Sequence, residues 1–229
     1  MKMTTIKFNS ADNVEVTADL YQHENKSAPV LLLCHQAGYS RGEYIETAPK
    51  LLSLGFSCLA LDQRSGNEVN GVQNQTARFA HSKNFPLKYV DAVPDIEAGI
   101  HYLTQQFPAS KKIILGSSYS ASVALVMAAK YGDIFSGAIS FSPGEYFVYD
   151  KKIVSEWAAQ ITIPVLCTSS KGEVHSWEKI FNAIPHGLGQ LFIPKNEGRH
   201  GSKSLWEATP NYTEYWHALT IFLNNQSNK

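Results

Sequence analysis

Apolar and polar residues change their spacing along this chain, and each change predicts a different element. Near the start, the alternation in TTIKF and VEVTADLY around the turn SADN predicts an antiparallel pair of strands. Later runs such as VLLLC and FSCLAL are apolar throughout, as is typical of strands buried on both faces of a parallel sheet. Further strands are predicted at KIIL, GAISFS, IPVLCTS and LGQLFIP.

Segments with helical spacing lie between those strands. Helices are predicted at GEYIETAPKLLSLG (ending at Gly55), VDAVPDIEAGIHYLTQQF, SASVALVMAAKYG, KKIVSEWAAQ, SWEKIFNAI and NYTEYWHALTIFLNN. This alternation predicts an α/β fold, a mostly parallel sheet with helices on both faces. The chain has no repeat or obvious linker, so we expect one domain over residues 1–229.

A polar segment from Arg64 to about Lys88 interrupts the alternation and is rich in Asn and Gln. It is interpreted either as a loop that borders a binding pocket or as an ordinary surface crossover.

Charge and cysteine content narrow the range of partners. Twenty basic and twenty acidic residues give a net charge of zero, and the chain has no basic run, so we expect no nucleic-acid partner. A small molecule is the expected ligand. Cys34, Cys58 and Cys167 lie inside apolar runs and are predicted to be buried and reduced. No apolar stretch reaches membrane-spanning length and the start lacks an apolar signal core, so we expect a cytoplasmic protein without a membrane partner.

The stretch KIILGSSYSASVAL carries the first chemical signal. It predicts a strand, a tight turn and a helix, the context of a nucleophile elbow with the pattern G-x-S-x-G. Ser118 takes the nucleophile position, with Gly116 two residues before it and Ser120 two residues after it. Two alternatives remain: a register centred on Ser120, and serines that only cap the helix.

A serine nucleophile needs a base and an acid, which follow it along the chain in this type of fold. His200 lies in the loop GRHG after the strand LGQLFIP, where an imidazole can reach over the sheet edge. The other downstream histidines lie in less favourable places: His175, His186 and His217. Glu173, in the loop after IPVLCTS, is the candidate acid, and Glu145, in SFSPGEYF, is the alternative.

The negative charge that develops on a substrate oxygen also needs donors. The backbone N–H of Tyr119, directly after the nucleophile, is one candidate. The second is expected from the loop HQAG after VLLLC, where Ala37 is the candidate and Gln36 the alternative. His35 is interpreted as a brace for this loop.

Taken together, HQAGYSRGEY, the elbow GSSYSAS, IPVLCTSSKGE and GRHG make the chain resemble the α/β-hydrolase superfamily, from about Val30 to the last helix. It looks most like the compact dienelactone-hydrolase-like and small esterase members. The resemblance implies a three-layer fold with an eight-stranded, mostly parallel sheet whose second strand is antiparallel, and the short stretch from Phe141 to Gln160 leaves no room for a large cap. It also implies chemistry without a metal or organic cofactor.

The resemblance makes Ser118 the nucleophile, Glu173 the acid and His200 the base, and it places the oxyanion donors on Ala37 and Tyr119. The chain departs from the family pattern at three positions. Gln36 stands where many members have glycine, Ser120 replaces the second glycine of the elbow, and Glu173 stands where aspartate is commoner. Dienelactone hydrolases proper use a cysteine nucleophile, so their substrate does not transfer.

The expected function is therefore a serine hydrolase that cleaves a carboxylic ester of a small substrate through an acyl-enzyme. Two alternatives stay open. One keeps the same triad in a thioesterase, peptidase or acyltransferase. The other is a binding protein that has the fold without the activity. Arg41, Arg64 and Arg199 are either carboxylate-binding cations or structural or solvated residues. The sequence leaves the oligomeric state unknown.

Overall fold

A computed structural model describes residues 2–227 of the chain. The strands are β1 Lys2–Asn9, β2 Glu15–Gln22, β3 Val30–Cys34, β4 Ser57–Leu61, β5 Glu68–Val69, β6 Val72–Gln73, β7 Lys112–Ser117, β8 Phe135–Phe141, β9 Val165–Thr168 and β10 Gly189–Phe192. The helices are α1 Thr47–Ser53, α2 Gln75–Ser82, α3 Val93–Gln106, α4 Tyr119–Lys130, α5 Val154–Ala158, α6 Val174–Ala183 and α7 Tyr212–Ser227.

The chain divides into two compact units, one up to Lys112 and one from Ile113 onward. The prediction of a single domain stays a prediction. Eight strands form the main sheet, with β1-β2-β4-β3 in one half and β7-β8-β9-β10 in the other, and β5 and β6 form a separate hairpin. The predicted eight-stranded sheet is confirmed.

Strand direction in the first unit follows the apolar pattern. The alternating β1 and β2 pair antiparallel, with Ile6 opposite Ala18, and β2 also runs antiparallel to β4. The continuously apolar β3 and β4 pair parallel and are fully buried, because both of their faces are covered. In the second unit, β9 runs parallel to both β8 and β10. The mostly parallel sheet with an antiparallel second strand is therefore confirmed.

The helix predicted at GEYIETAPKLLSLG is interrupted. Ser40 accepts a hydrogen bond from the Gly42 N–H at 3.1 Å and starts a separate 3-10 turn, Arg41–Tyr44. The α-helix α1 begins only at Thr47. Its end fits the prediction, because Gly55 has a φ of +94°, a left-handed conformation that favours glycine after a helix.

The polar segment is more regular than the sequence predicts. It contains the β5–β6 hairpin and α2, and hydrogen bonds from polar side chains help to hold it in place. Ser40 donates to the Val72 carbonyl at 2.6 Å. The Asn74 amide caps α2 through the Ala77 N–H at 2.7 Å and donates to the Gln63 carbonyl at 2.9 Å. A cleft of about 410 Å³ is lined by residues of this segment, Gly66, Asn67, Asn74, Ala77, Arg78, His81, Ser82 and Leu87.

Two of the candidate arginines are structural. Arg64 is buried and its guanidinium reaches Asp95 at 2.7 Å and Asp12 at 2.6 Å. Arg41 pairs with Asp62 at 2.7 Å. The interpretation of these two as structural residues is therefore supported by their partners. The cysteines are free and buried, as predicted.

Among residues 2–227, no helix is long and apolar enough to cross a membrane. Over the same part of the chain, His, Cys, Asp and Glu side chains form no group of three or more that could hold a metal ion.

Candidate active site

Ser118 lies at a sharp turn between β7 and α4. Its φ of +58° and ψ of −122° are unusual for a residue with a side chain, and such strain is typical of functional positions. Its N–H donates to the Phe141 carbonyl at 2.8 Å, and its own carbonyl accepts from the Ala121 N–H at 2.8 Å. The turn is thereby attached both to the neighbouring strand and to the helix that follows.

Gly116 allows this turn to be so tight. A Cβ atom at this position would lie 2.0 Å from the Ser120 carbonyl oxygen and 2.7 Å from the Ala121 nitrogen. Both are backbone atoms, which cannot move aside as the end of a side chain can. Glycine is therefore required here by close approach, as the elbow pattern predicts.

The elbow is centred on Ser118 and not on Ser120. Ser120 lies inside α4 and is fully buried, whereas Ser118 precedes the helix and is 9% exposed. The capping alternative also fails for Ser118, because its side chain makes no cap hydrogen bond to α4. The geometry therefore favours Ser118 over both alternatives.

His200 joins the serine to the glutamate. Its Nε2 lies 2.8 Å from Ser118 Oγ, and its Nδ1 lies 2.5 Å from Glu173 Oε1. An ionised carboxylate only accepts hydrogen bonds, so the Nδ1 atom carries the proton toward Glu173. The Nε2 atom is then left to accept the hydroxyl proton of Ser118. The three side chains named from the sequence are within hydrogen-bonding distance in this order.

Glu173 is held as a charged group. Burial alone raises the pKa of this carboxyl, but hydrogen bonds from His200, Ser142 and Ser170 outweigh it, and the pKa is lowered overall. The Ser142 hydroxyl donates to Oε2 at 2.8 Å and the Ser170 N–H donates to the same oxygen at 3.3 Å. Oε2 is thereby occupied, and Oε1 faces His200.

The loop of His200 is attached to two strand ends. The Gly201 N–H donates to Ser142 Oγ, just after β8, and the Ser202 N–H donates to Ser117 Oγ, at the end of β7, both at 2.9 Å. These two bonds lie one and two residues after the histidine. They fix the backbone that carries the imidazole.

The alternative acid, Glu145, has another role. Its carboxylate accepts hydrogen bonds from the Val154 and Ser155 N–H groups, at 2.6 and 3.0 Å. These are the first amides of α5, whose partial positive charge favours a carboxylate. Glu145 is thus a helix cap, and the carboxylate bonded to His200 is that of Glu173.

The predicted oxyanion donors lie at the expected kinds of position. Tyr119 is the first residue of α4 and directly follows Ser118. Ala37 lies half-buried in the turn after β3. The N–H of the alternative donor Gln36 donates to Glu43 Oε2 at 2.7 Å, which favours Ala37. The assignments of Tyr119 and Ala37 as oxyanion donors stay predictions.

His35 braces its loop, as expected. It is fully buried, and burial lowers its pKa to about 4, so the ring is neutral at pH 7. Its Nδ1 bonds the Gln36 carbonyl at 2.8 Å, and its Nε2 accepts from the Gln63 N–H at 2.9 Å.

Ser142 is a site residue that the sequence analysis missed. Its hydroxyl bonds both the acid and the histidine loop. A signal was present, because Ser142 is the last residue of the predicted strand GAISFS, at the edge of the sheet where functional groups gather.

Comparison with known proteins identifies the fold family of this chain. Residues 29–229 match the family model of the alpha/beta hydrolase fold. No curated protein matches the sequence. An esterase from Pyrococcus furiosus has a TM-score of 0.76 at 17% identity, over 98% of this chain and 92% of its own. A dienelactone hydrolase from Anabaena variabilis has a TM-score of 0.76 at 14% identity, over 98% of this chain and 97% of its own. A highly thermostable carboxyl esterase from Bacillus coagulans has a TM-score of 0.76 at 12% identity, over 98% of this chain and 99% of its own. At these identities the likeness concerns the fold.

Proposed function

Because the chain belongs to the α/β-hydrolase fold family, we propose that it is a serine esterase that cleaves a carboxylic ester of a small molecule. One observation carries the proposal: His200 Nε2 lies 2.8 Å from Ser118 Oγ while its Nδ1 is bonded to Glu173. This is the arrangement that activates a hydroxyl as a nucleophile. The esterases with a similar fold support the choice of an ester bond.

In the first half of the proposed reaction, Ser118 Oγ attacks the ester carbonyl carbon while His200 Nε2 takes its proton. The carbonyl oxygen becomes an anion, which accepts hydrogen bonds from the Tyr119 N–H and, as predicted, from the Ala37 N–H. Glu173 stabilises the imidazolium that forms. The imidazolium then gives its proton to the alcohol oxygen as the carbon–oxygen bond breaks, and the acyl group stays on Ser118.

In the second half, water replaces the alcohol. His200 Nε2 takes a proton from water as the water oxygen attacks the acyl carbon, and the same donors hold the second oxyanion. The proton returns to Ser118 Oγ as its bond to the acyl carbon breaks. A carboxylic acid leaves, and no other reactant is needed.

Labelling with a fluorophosphonate tests this proposal, because the reagent reacts with activated serines whatever the natural substrate is. We expect intact-mass spectrometry to find one adduct on the wild type. Ser118→Ala should carry no adduct, whereas Ser120→Ala, the matched control at the start of α4, should be labelled like the wild type. An unlabelled wild type would favour the binding-protein alternative.

Hydrolysis of 4-nitrophenyl esters with acyl chains of increasing length then tests the bond and the substrate size. We expect turnover of the short esters and none by Ser118→Ala. Faster cleavage of matched thioesters or anilides by the same serine would instead favour a thioesterase or a peptidase.

A further inference from the structure

Ser142 is the residue on which the acid and the histidine loop converge. Its side chain is buried, and its hydroxyl makes two hydrogen bonds of opposite direction: it donates to Glu173 Oε2 at 2.8 Å and accepts from the Gly201 N–H at 2.9 Å. A hydroxyl has a single proton to donate. The direction of both bonds is therefore set by the ionised carboxylate on one side and the amide on the other.

The backbone of Ser142 is held in an unfavourable conformation. Its φ is +58°, in the left-handed region that a residue with a Cβ rarely adopts, and its N–H donates to the Thr168 carbonyl at 2.7 Å. Strain of this kind persists only where surrounding contacts over-determine it, and it concentrates at functional sites. Ser118, the proposed nucleophile, has the same φ value.

Glu173 has few other donors on the oxygen that Ser142 contacts. The Ser170 N–H, at 3.3 Å, is the longer of the two bonds to Oε2. Without the hydroxyl, this oxygen would keep only the weaker bond, and the buried Gly201 N–H would lose its acceptor. Both consequences reach His200, one through the carboxylate on its Nδ1 and the other through the next residue of its loop.

We propose that Ser142 is a positioning residue that holds Glu173 and the loop of His200 in register, so that the imidazole can take the proton of Ser118. The inference rests on the proposed esterase function. Ser142 touches no reacting atom and acts through the acid and the base. Its hydroxyl, and not its backbone, carries the role.

Two substitutions separate the hydroxyl from the backbone. Ser142→Ala and Ser142→Gly both remove the hydroxyl, but glycine adopts a positive φ without strain whereas alanine does not. Thermal unfolding should therefore rank the glycine variant as the more stable of the two. If the hydroxyl acts as proposed, both variants should nevertheless lose the same activity, roughly 10- to 100-fold in kcat for 4-nitrophenyl acetate. Ser140→Ala is the matched control, since that buried hydroxyl bonds the Ala121 carbonyl outside the triad.

The pH dependence of kcat/KM adds a readout that a purely structural residue would not move. Removing a donor that lowers the pKa of Glu173 lets its carboxylate bind a proton at higher pH. Titratable groups around Glu173 include His200 on its Oε1, Tyr215, Glu197 at the Gly172 N–H, and the chain neighbours Lys171 and His175; burial raises the pKa of Tyr215 to about 12, so this phenol stays neutral. The acid limb of the profile should move to higher pH in both Ser142 variants and stay in place in Ser140→Ala.

The low-field proton resonance of His200 Nδ1–H tests the inference even if the wild type hydrolyses nothing. We expect this signal, assigned by its absence in His200→Gln, to shift or vanish in Ser142→Ala and Ser142→Gly. An inactive wild type would overturn the esterase proposal and leave this readout to decide on Ser142. If both Ser142 variants kept the wild-type activity, pH profile and resonance, the inference about Ser142 would be overturned, whereas the esterase proposal would stand.

Discussion

The Nε2 atom of His200 lies 2.8 Å from the Oγ atom of Ser118, although 82 positions separate the two residues in the sequence. Each side chain sits just beyond a strand of the same parallel sheet, the serine after β7 and the histidine in the loop that follows β10. The carboxyl ends of parallel strands meet at one edge. The sheet therefore brings together two groups that the chain keeps far apart.

Substitutions of Glu173 and Glu145 should show which of the two carboxylates is the acid that supports His200. Glu173→Gln keeps the shape but removes the charge that stabilises the imidazolium, and we expect kcat for an activated ester to fall roughly 10³- to 10⁴-fold. Glu145→Gln should keep the activity and lower the free energy of unfolding by about 1 kcal/mol, because it weakens a helix cap. Ester kinetics and urea unfolding of both variants measure this. The reverse pattern of activity loss would move the acid to Glu145.

The elbow should not tolerate a methyl group at Gly116. In Gly116→Ala the new Cβ meets backbone atoms, so we expect fluorophosphonate labelling to be lost and the free energy of unfolding to fall by about 1–3 kcal/mol. Gly187→Ala is the control, because Gly187 also has a positive φ of +85° but has nothing within 4 Å of a Cβ. It should cost about 1 kcal/mol and keep full labelling. Normal labelling of Gly116→Ala would contradict the elbow geometry.

Removing one partner of the buried pair of Arg64 and Asp95 should lower the free energy of unfolding much more than replacing both partners with apolar residues. Asp95→Ala leaves a buried guanidinium without this partner, and we expect a loss of about 3–5 kcal/mol in the free energy of unfolding. The double variant Arg64→Met with Asp95→Leu should recover much of that loss. Glu15→Ala, which breaks the exposed pair with Lys7, should change stability by less than about 1 kcal/mol. If Asp95→Ala and Glu15→Ala lost equal free energies of unfolding in urea titrations, the buried pair would be no more important for stability than the exposed one.

Protonation of Asp12 should contribute to the loss of unfolding free energy at low pH. Hydrogen bonds from Arg64 are the main cause that lowers the pKa of this carboxyl from 3.8 to about 2. A folded-state pKa below the unfolded value contributes stability that is complete above about pH 4 and is lost as the pH falls toward 2. We therefore expect the difference in unfolding free energy between wild type and Asp12→Asn to shrink over this range. A constant difference in urea titrations at several pH values would refute the linkage.

Much of the fold followed from the spacing of apolar residues. The continuous run VLLLC and the alternating VEVTADLY predict a parallel and an antiparallel strand, because burial on two faces or on one imposes these patterns, and both are confirmed. The polar segment was different. Hydrogen bonds from Ser40 and Asn74 hold its hairpin and helix, and contacts between residues distant in sequence leave no periodic signal in the chain.

Some residues of the candidate site could be predicted from the sequence, and others only from the tertiary structure. The residues around Ser118 show a strand, a glycine and a helix in sequence, because the turn is local and its steric demand falls on Gly116. The choice between Glu173 and Glu145 was open, since both follow strands and a carboxylate serves equally well as a helix cap or as the partner of a histidine. Only the tertiary structure decided it, by placing one beside His200 and the other at the start of α5. The role of Ser142 also arose there, because a hydroxyl acquires its function from the groups that lie within its 3 Å reach.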